Sequence, residues 1–287
     1  MLKYLKYLPF YLLSLLPLWL LYWIADGLYW IVFYLVGYRK KVVTDNIQGS
    51  FPEKSAAEIE ALVKGFYHHF CEQMIESIKV LSVSRSEAKR RLKISNLTEI
   101  EALFAEKRDV ILYAGHHGNW EWISFLPLFF NYQLTAFYQP LSNKYFDGLM
   151  LLIRQRFGLI CVPSAQGYKA LVDFKRKGIL TMNLLLSDQS PGKKAPKQWV
   201  PFLHRDTAFL LGADRIAKKT NQVLVFPSFK KPQRGTYELE FQVMEFNPES
   251  SSSEAIVLEY ARTLEKTIIA APELWLWSHR RWKLKKD

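Results

Sequence analysis

From Tyr7 to Tyr38 the chain carries one formal charge, Asp26. A stretch so long and so apolar must be covered by a core or by lipid. Leu8 to Ala25 alone approaches the roughly 20 residues that a spanning helix requires. Lys3 and Lys6 precede the run as they would in a secretory signal, but it continues past any small-residue cleavage site into Leu28-Tyr29-Trp30-Ile31-Val32-Phe33-Tyr34. That is too long and too aromatic for a signal sequence. Its tyrosines and tryptophans suit the boundary between water and bilayer, and Pro9 and Pro17 predict a bent or obliquely inserted helix. Both spanning and monotopic insertion are compatible with this pattern. Arg39, Lys40 and Lys41 follow directly and prefer the cytoplasmic side. The chain therefore divides into a membrane anchor, 1–41, and a domain over 42–287 on the cytoplasmic side.

Charge supports a membrane address. The chain has 39 Lys and Arg against 27 Asp and Glu, a net +12, and basic residues near a bilayer attract anionic lipid by about 1 kcal/mol each. The same excess would attract an acidic protein. It would also suit nucleic acid, yet no zinc-finger, helix-turn-helix or RNA-recognition signature accompanies it, and no nucleic-acid partner is expected. Two cysteines, Cys71 and Cys161, offer no disulfide framework.

Beyond the anchor, apolar runs alternate with helical patterns. Ser55 and Glu58 form a capping box for an amphipathic helix with Ile59, Leu62, Phe66, Phe70 and Met74 at helical spacing. A polar, basic stretch over 84–93 leads through a short helix to the apolar run 110–114. Further strands are predicted at 134–138, 159–163, 179–185 and 223–229, with helices near 144–157, 167–177 and 207–219. The 237–246 segment alternates like an exposed antiparallel strand, and 250–253 caps a last helix through about Ala270. This alternation predicts an α/β fold, a mixed central sheet flanked by helices.

The chemistry concentrates in Gly115-His116-His117-Gly118-Asn119-Trp120-Glu121-Trp122. Val110 to Ala114 reads as a strand buried on both faces, and the turn beyond it holds His116. On a continuous helix, residues five apart point about 140° from each other, so His116 and Glu121 meet only if the chain bends between them. Gly118 supplies the bend, and Asn119 is the expected N-cap of the following helix. A neutral imidazole braced by a carboxylate is a general base for an oxygen or nitrogen nucleophile. With no serine elbow or cysteine-nucleophile signature, the attacking group is expected to be the substrate's own.

These residues resemble the H-x-x-x-x-[D/E] motif of the glycerolipid acyltransferase superfamily, and Gly-His-x-Gly-Asn-Trp-Glu resembles its bacterial lipid A biosynthesis (lauroyl/myristoyl) branch. The opening segment Arg39 to Pro52, then 138–143, 154–158, Asp188-Gln189, Val200-Pro201-Phe202 and the closing Pro272 to Arg281 follow in the family order. The resemblance implies transfer of a fatty acyl group from a thioester of acyl carrier protein, or of coenzyme A, to a hydroxyl of a membrane glycolipid. It implies no metal and no bound cofactor. By the same resemblance His116 is the base, Glu121 orients it, and Gly118 and Asn119 shape the turn. Arg154, Asp188 and Gln189 line the cleft, and Arg156 is a phosphate contact. Two positions depart from the pattern: His117 stands where an apolar residue is usual, and Leu203-His204 follows Phe202 where a paired phenylalanine and glycine are more common.

In α/β sheets ligands gather at the carboxyl ends of strands, which makes the His116 turn and Asp188-Gln189 expected neighbours. Lys193, Lys194 and Lys197 form a basic loop beside them, which either touches an acceptor phosphate or the carrier protein or is simply solvated. His117 and Glu121, four apart, raise a metal-dependent hydrolase as an alternative, and a non-catalytic lipid-binding membrane protein is a third reading. His68, His69, His204 and His279 are expected to be partly exposed. Trp275, Trp277 and Trp282 belong either to an interfacial foot or to a tail packed on the core.

Overall fold

The computed structural model describes residues 5–286. Pro17 divides the apolar N-terminus into α1 (Leu8–Leu15) and α2 (Leu18–Trp30), because proline tolerates a first helical turn but not a helix interior. A π-helical turn, Ile31–Val36, extends α2 and stops at Gly37 in the left-handed region, φ 61°. One face of α2, built from Leu18, Leu21, Tyr22, Ala25 and Tyr29, is buried. It packs on α4 (Ala56–Lys79), which follows α3 (Lys40–Ser50). The expected capping box is present: Glu58 N–H donates to Ser55 Oγ, and Ser55 N–H donates to Glu58 Oε2 at 2.8 Å. The buried stripe of α4 is Ile59, Val63, Phe66, Tyr67, Cys71 and Ile75, whereas Met74 faces outward. The expected stripe thus swings by about one residue.

The basic stretch after α4 is not irregular. Ser84 caps α5 (Arg85–Arg91), and β1 (Leu92–Ile94) follows at once, then α6 (Leu97–Ala105) and β2 (Val110–Ala114). The remaining strands are β3 (Gln133–Tyr138), β4 (Ile160–Pro163), β5 (Thr181–Leu186), β6 (Lys197–Phe202), β7 (Arg205–Leu210), β8 (Val223–Gln233) and β9 (Thr236–Glu245). The helices between them are α7 (Lys144–Gln155), α8 (Gly167–Arg176), α9 (Ala213–Thr220) and, last, α10 (Ser253–Ala270).

Seven strands form the main sheet in the order β1-β9-β8-β2-β5-β3-β4. Every neighbouring pair is parallel except β8–β9. The fold is therefore α/β with a mixed, mostly parallel sheet between helical layers. The central strand shows why 110–114 is uninterruptedly apolar. Val110, Leu112 and Ala114 enter one core and Ile111 and Tyr113 the other, so both faces of β2 are covered. The 237–246 segment pairs antiparallel with β8 as expected but also parallel with β1, so it lies inside the sheet, with Tyr237, Leu239 and Phe241 buried.

A correction falls at 207–219. Only its second half is helical, because 205–210 folds back on β6 as a separate two-stranded hairpin. Pairing across that hairpin overrides local propensity. Its two-residue turn, Leu203-His204, places both residues at positive φ, 48° and 62°, a geometry that glycine and asparagine adopt with less strain. His204→Gly is expected to stabilise the protein by about 0.5–1 kcal/mol. An unchanged or lower urea midpoint would show that the turn is relaxed as it stands.

Candidate active site

The parallel register of β2 and β5 pairs Ala114 with Leu186. Both chains leave the sheet at the same edge, and Ser187 N–H still donates to Ala114 O at 2.9 Å. Two residues beyond each strand end, His116 meets Asp188. The ring Nδ1 lies 2.6 Å from Asp188 Oδ1, and the His116 backbone N–H donates to Oδ2 at 2.8 Å. Trp275 Nε1 donates to the same Oδ2 at 2.8 Å.

Asp188 is 3% exposed and the His116 side chain 14%. Burial disfavours the Asp188 carboxylate, but the adjacent His116 ring and these hydrogen bonds outweigh it and the carboxyl titrates at about 2. An ionised Asp188 accepts a hydrogen bond from Nδ1–H of a neutral imidazole, which leaves the lone pair on Nε2. Gln189 Nε2 stands 3.4 Å from that nitrogen, and Trp120 packs edge-on against the ring with centroids 5.0 Å apart.

The carboxylate that braces His116 is thus Asp188, and the expected pairing with Glu121 is corrected. Both oxygens of Glu121 belong to Arg154: Nε donates to Oε2 at 2.8 Å and Nη2 to Oε1 at 2.6 Å. Two features of the chain account for this. Residues 120–128 form a 3₁₀ helix containing Pro127, and Arg154 on α7 offers a planar two-donor fork matched to a carboxylate. Burial works against the Arg154 charge, yet Glu121 overcomes it and holds the guanidinium more firmly protonated than usual.

The turn itself is clamped by the C-terminal segment. Gly118 N–H donates to Leu274 O at 3.0 Å, Leu276 N–H donates to His116 O at 3.1 Å, and His117 bridges to Trp275. Gly118 has φ 67°, and a Cβ there would lie 2.3 Å from Phe229 Cβ, so only glycine fits. Asn119 does not cap the following helix. Its side chain is fully buried and donates to Glu76 Oε2 at 2.7 Å. The Arg156 guanidinium donates to Val80 O and, at 2.5 Å, to Val83 O. These two bonds tie down the segment after α4.

His117 is engaged elsewhere. Its Nε2–H donates to Ala271 O at 3.0 Å, and burial pushes its pKa down to about 4. Its Nδ1 is buried without a hydrogen-bond partner among the described residues. With His117 and Glu121 both engaged elsewhere, the proposed metal pair loses its ligands. Among the described residues no group of three or more His, Cys, Asp or Glu could hold a metal ion.

His69 also departs from expectation, being 4% exposed, with Nε2 3.3 Å from Gly118 O. His279 accepts a hydrogen bond from Ser190 N–H at 3.1 Å, and burial pushes its pKa to about 4. Lys193 and Lys194 are exposed, whereas Lys197 Nζ turns back to Lys193 O at 2.8 Å.

Sequence reasoning missed Trp275 and Glu76. The tryptophan cluster packs on the core, Trp275 and Trp277 being 3% and 0% exposed. The available signal was the joint presence of the opening and closing segments, which meet here: Asn46 Nδ2 donates to Trp277 O at 2.8 Å and to His279 O at 2.9 Å. Glu76 carried none, because a glutamate inside an amphipathic helix looks like any solvated one.

A family model described as bacterial lipid A biosynthesis acyltransferase matches residues 1–284. The lipid A biosynthesis acyltransferase of Haemophilus influenzae is 24% identical over 245 residues, spanning 84% of this chain and 75% of that protein. The lipid A biosynthesis lauroyltransferase of Escherichia coli K12 is 23% identical over 274 residues, spanning 95% and 88%. The 1-acyl-sn-glycerophosphate (LPA) acyltransferase of Thermotoga maritima aligns with 93% of this chain and 97% of its own at 15% identity, with a TM-score of 0.39. That score is too low to equate the two folds.

Proposed function

This chain belongs to the bacterial lipid A biosynthesis acyltransferase family, and from that premise we propose that it transfers a fatty acyl group from a thioester to a hydroxyl of a lipid A precursor or closely related membrane lipid, with His116 as general base. The observation that carries the catalytic assignment is the 2.6 Å contact between His116 Nδ1 and Asp188 Oδ1. With Nδ1–H bound to the carboxylate, Nε2 accepts the acceptor's hydroxyl proton as the oxygen attacks the thioester carbonyl. The tetrahedral intermediate then collapses, the C–S bond breaks, and the imidazolium returns the proton to the departing thiolate. An ester and a free thiol result. Asp188 stabilises the imidazolium between the two proton transfers. Gln189 lies where the reacting groups must pass, and the Glu121–Arg154 pair fixes the 3₁₀ helix beside the turn. The donor is acyl carrier protein or coenzyme A thioester, and the net +12 of the chain supports an acidic donor.

The N-terminus serves as a membrane anchor on the cytoplasmic face of the inner membrane. Support comes from the two faces of α2. Its inner face is committed to the domain, whereas Trp19, Trp23 and Trp30 on the other side are 63%, 71% and 60% exposed. The apolar stretch Leu18–Val36 is long enough to cross a bilayer, but spanning would require Tyr22 and Asp26 to abandon Glu76 and Arg234. Insertion in the plane of one leaflet preserves those contacts and covers the exposed aromatic face.

To test the reaction, purified protein is offered acyl carrier protein and coenzyme A thioesters with membrane lipid extract, and products are identified by mass spectrometry. One new acylated lipid is expected. His116→Ala is expected to lower its formation by at least about 10²-fold with the fold and vesicle binding retained. Turnover unchanged in that variant would remove His116 from the mechanism.

A further inference from the structure

Glu76, on α4, is a buried carboxylate that the proton transfers leave unused. It is 0% exposed and accepts three hydrogen bonds from three elements. The Tyr22 hydroxyl of α2 donates to Oε1 at 2.8 Å, the Tyr237 hydroxyl of β9 donates to Oε2 at 2.9 Å, and Asn119 of the active turn donates to Oε2 at 2.7 Å. Burial of a carboxylate is tolerated because donors surround it.

Asn119 depends on this contact. It is 0% exposed, and its Oδ1 has no hydrogen-bond partner among the described residues, so Glu76 is the group that orients its side chain. The Glu76 main chain adds a weaker tie, accepting from Trp122 Nε1 at 3.5 Å next to Glu121.

We propose that Glu76 is a positioning residue that holds the active turn through Asn119 and, through Tyr22, couples that turn to the seating of α2 in a lipid surface. This rests on the reading of α2 as a membrane element and of His116 as the base. Tyr22 lies between Trp19 and Trp23 in sequence, but they face outward while it faces inward. Any force that lipid exerts on the two tryptophans therefore reaches Tyr22 through one turn of helix. A network of three ion pairs keeps the helix on this track. Arg234 bridges Asp26 of α2 and Glu72 of α4, its Nε lying 2.5 Å from Glu72 Oε1, and Lys231 shares Glu72. The path from lipid to turn is a chain of direct contacts through rigid elements.

Amide hydrogen exchange of the full chain, with and without phosphatidylglycerol–phosphatidylethanolamine vesicles, tests this without requiring turnover. In the wild type, vesicles are expected to slow exchange both over 18–30 and over 115–122. Tyr22→Phe should keep the slowing over 18–30 but lose about tenfold of it over 115–122, the scale of one hydrogen bond to a carboxylate. Tyr237→Phe removes a donor from Glu76 without touching α2 and should keep both effects, as should His116→Ala. Three results each overturn the coupling: no slowing of the turn in the wild type, undiminished slowing in Tyr22→Phe, or equal loss in Tyr237→Phe. Absence of slowing over 18–30 in the wild type defeats the membrane reading, and the coupling with it. Full acyl transfer by His116→Ala defeats only the assignment of the base.

Discussion

Asp188→Asn is expected to lower kcat by about 10³–10⁴-fold while the protein remains folded, the scale seen when a triad aspartate becomes asparagine. The surroundings decide which way the new amide points. Two donors, the His116 backbone N–H and Trp275 Nε1–H, converge on the position of Oδ2, so the asparagine carbonyl must occupy it. Its NH₂ then falls at the position of Oδ1, facing His116 Nδ1. A donor there forces the imidazole proton onto Nε2, where the base needs its lone pair. Steady-state kinetics with a single acyl thioester, together with circular dichroism of the variant, measure the effect. A loss below tenfold in a folded Asp188→Asn variant, with a larger loss in Glu121→Gln, would return the bracing role to Glu121.

Arg154→Ala is expected to cost about 3 kcal/mol of stability, the lower end of the range for breaking a buried pair, because the Arg154 side chain is 26% exposed and Glu121 only 8%. The damage arises from what remains: a buried carboxylate that loses both hydrogen bonds of its fork. Replacing both partners with apolar groups, as in Glu121→Leu with Arg154→Met, should recover most of that loss. Urea unfolding of Glu121→Leu, Arg154→Met and the double variant supplies the cycle. Additive losses would mean that the pair is not a unit. Activity should fall in the double variant even where stability returns, because the 3₁₀ helix beside the turn loses its anchor to α7.

The active turn was legible because its determinants are local. A strand apolar at every position, a following histidine and a glycine at the bend are all visible within nine residues. The partner of His116 was not. Glu121 is close in sequence, and proximity made it the natural choice, but a proline-containing 3₁₀ helix carries it to Arg154. Asp188, 72 positions away from His116, was placed in the same cleft by the rule that ligands gather at strand ends, without its contact to the imidazole being foreseen. The failed helix over 207–210 has the same origin: a hairpin partner outside the window outweighed the local pattern.

What can be read from the linear order of residues here is whatever depends on composition and short-range periodicity: an α/β domain, an apolar aromatic N-terminus and a histidine-bearing turn at a buried strand's end. Which carboxylate reaches His116, whether α2 stands free or lies along the domain, and where the Asn119 side chain is bound were resolved by packing. Those answers depend on the parallel register of β2 and β5, the hold of α4 on α2 and the return of the C-terminal tryptophans to the turn. All three are long-range pairings that satisfy buried polar groups, and no stretch of neighbouring residues encodes a hydrogen-bond partner that arrives from the other end of the chain.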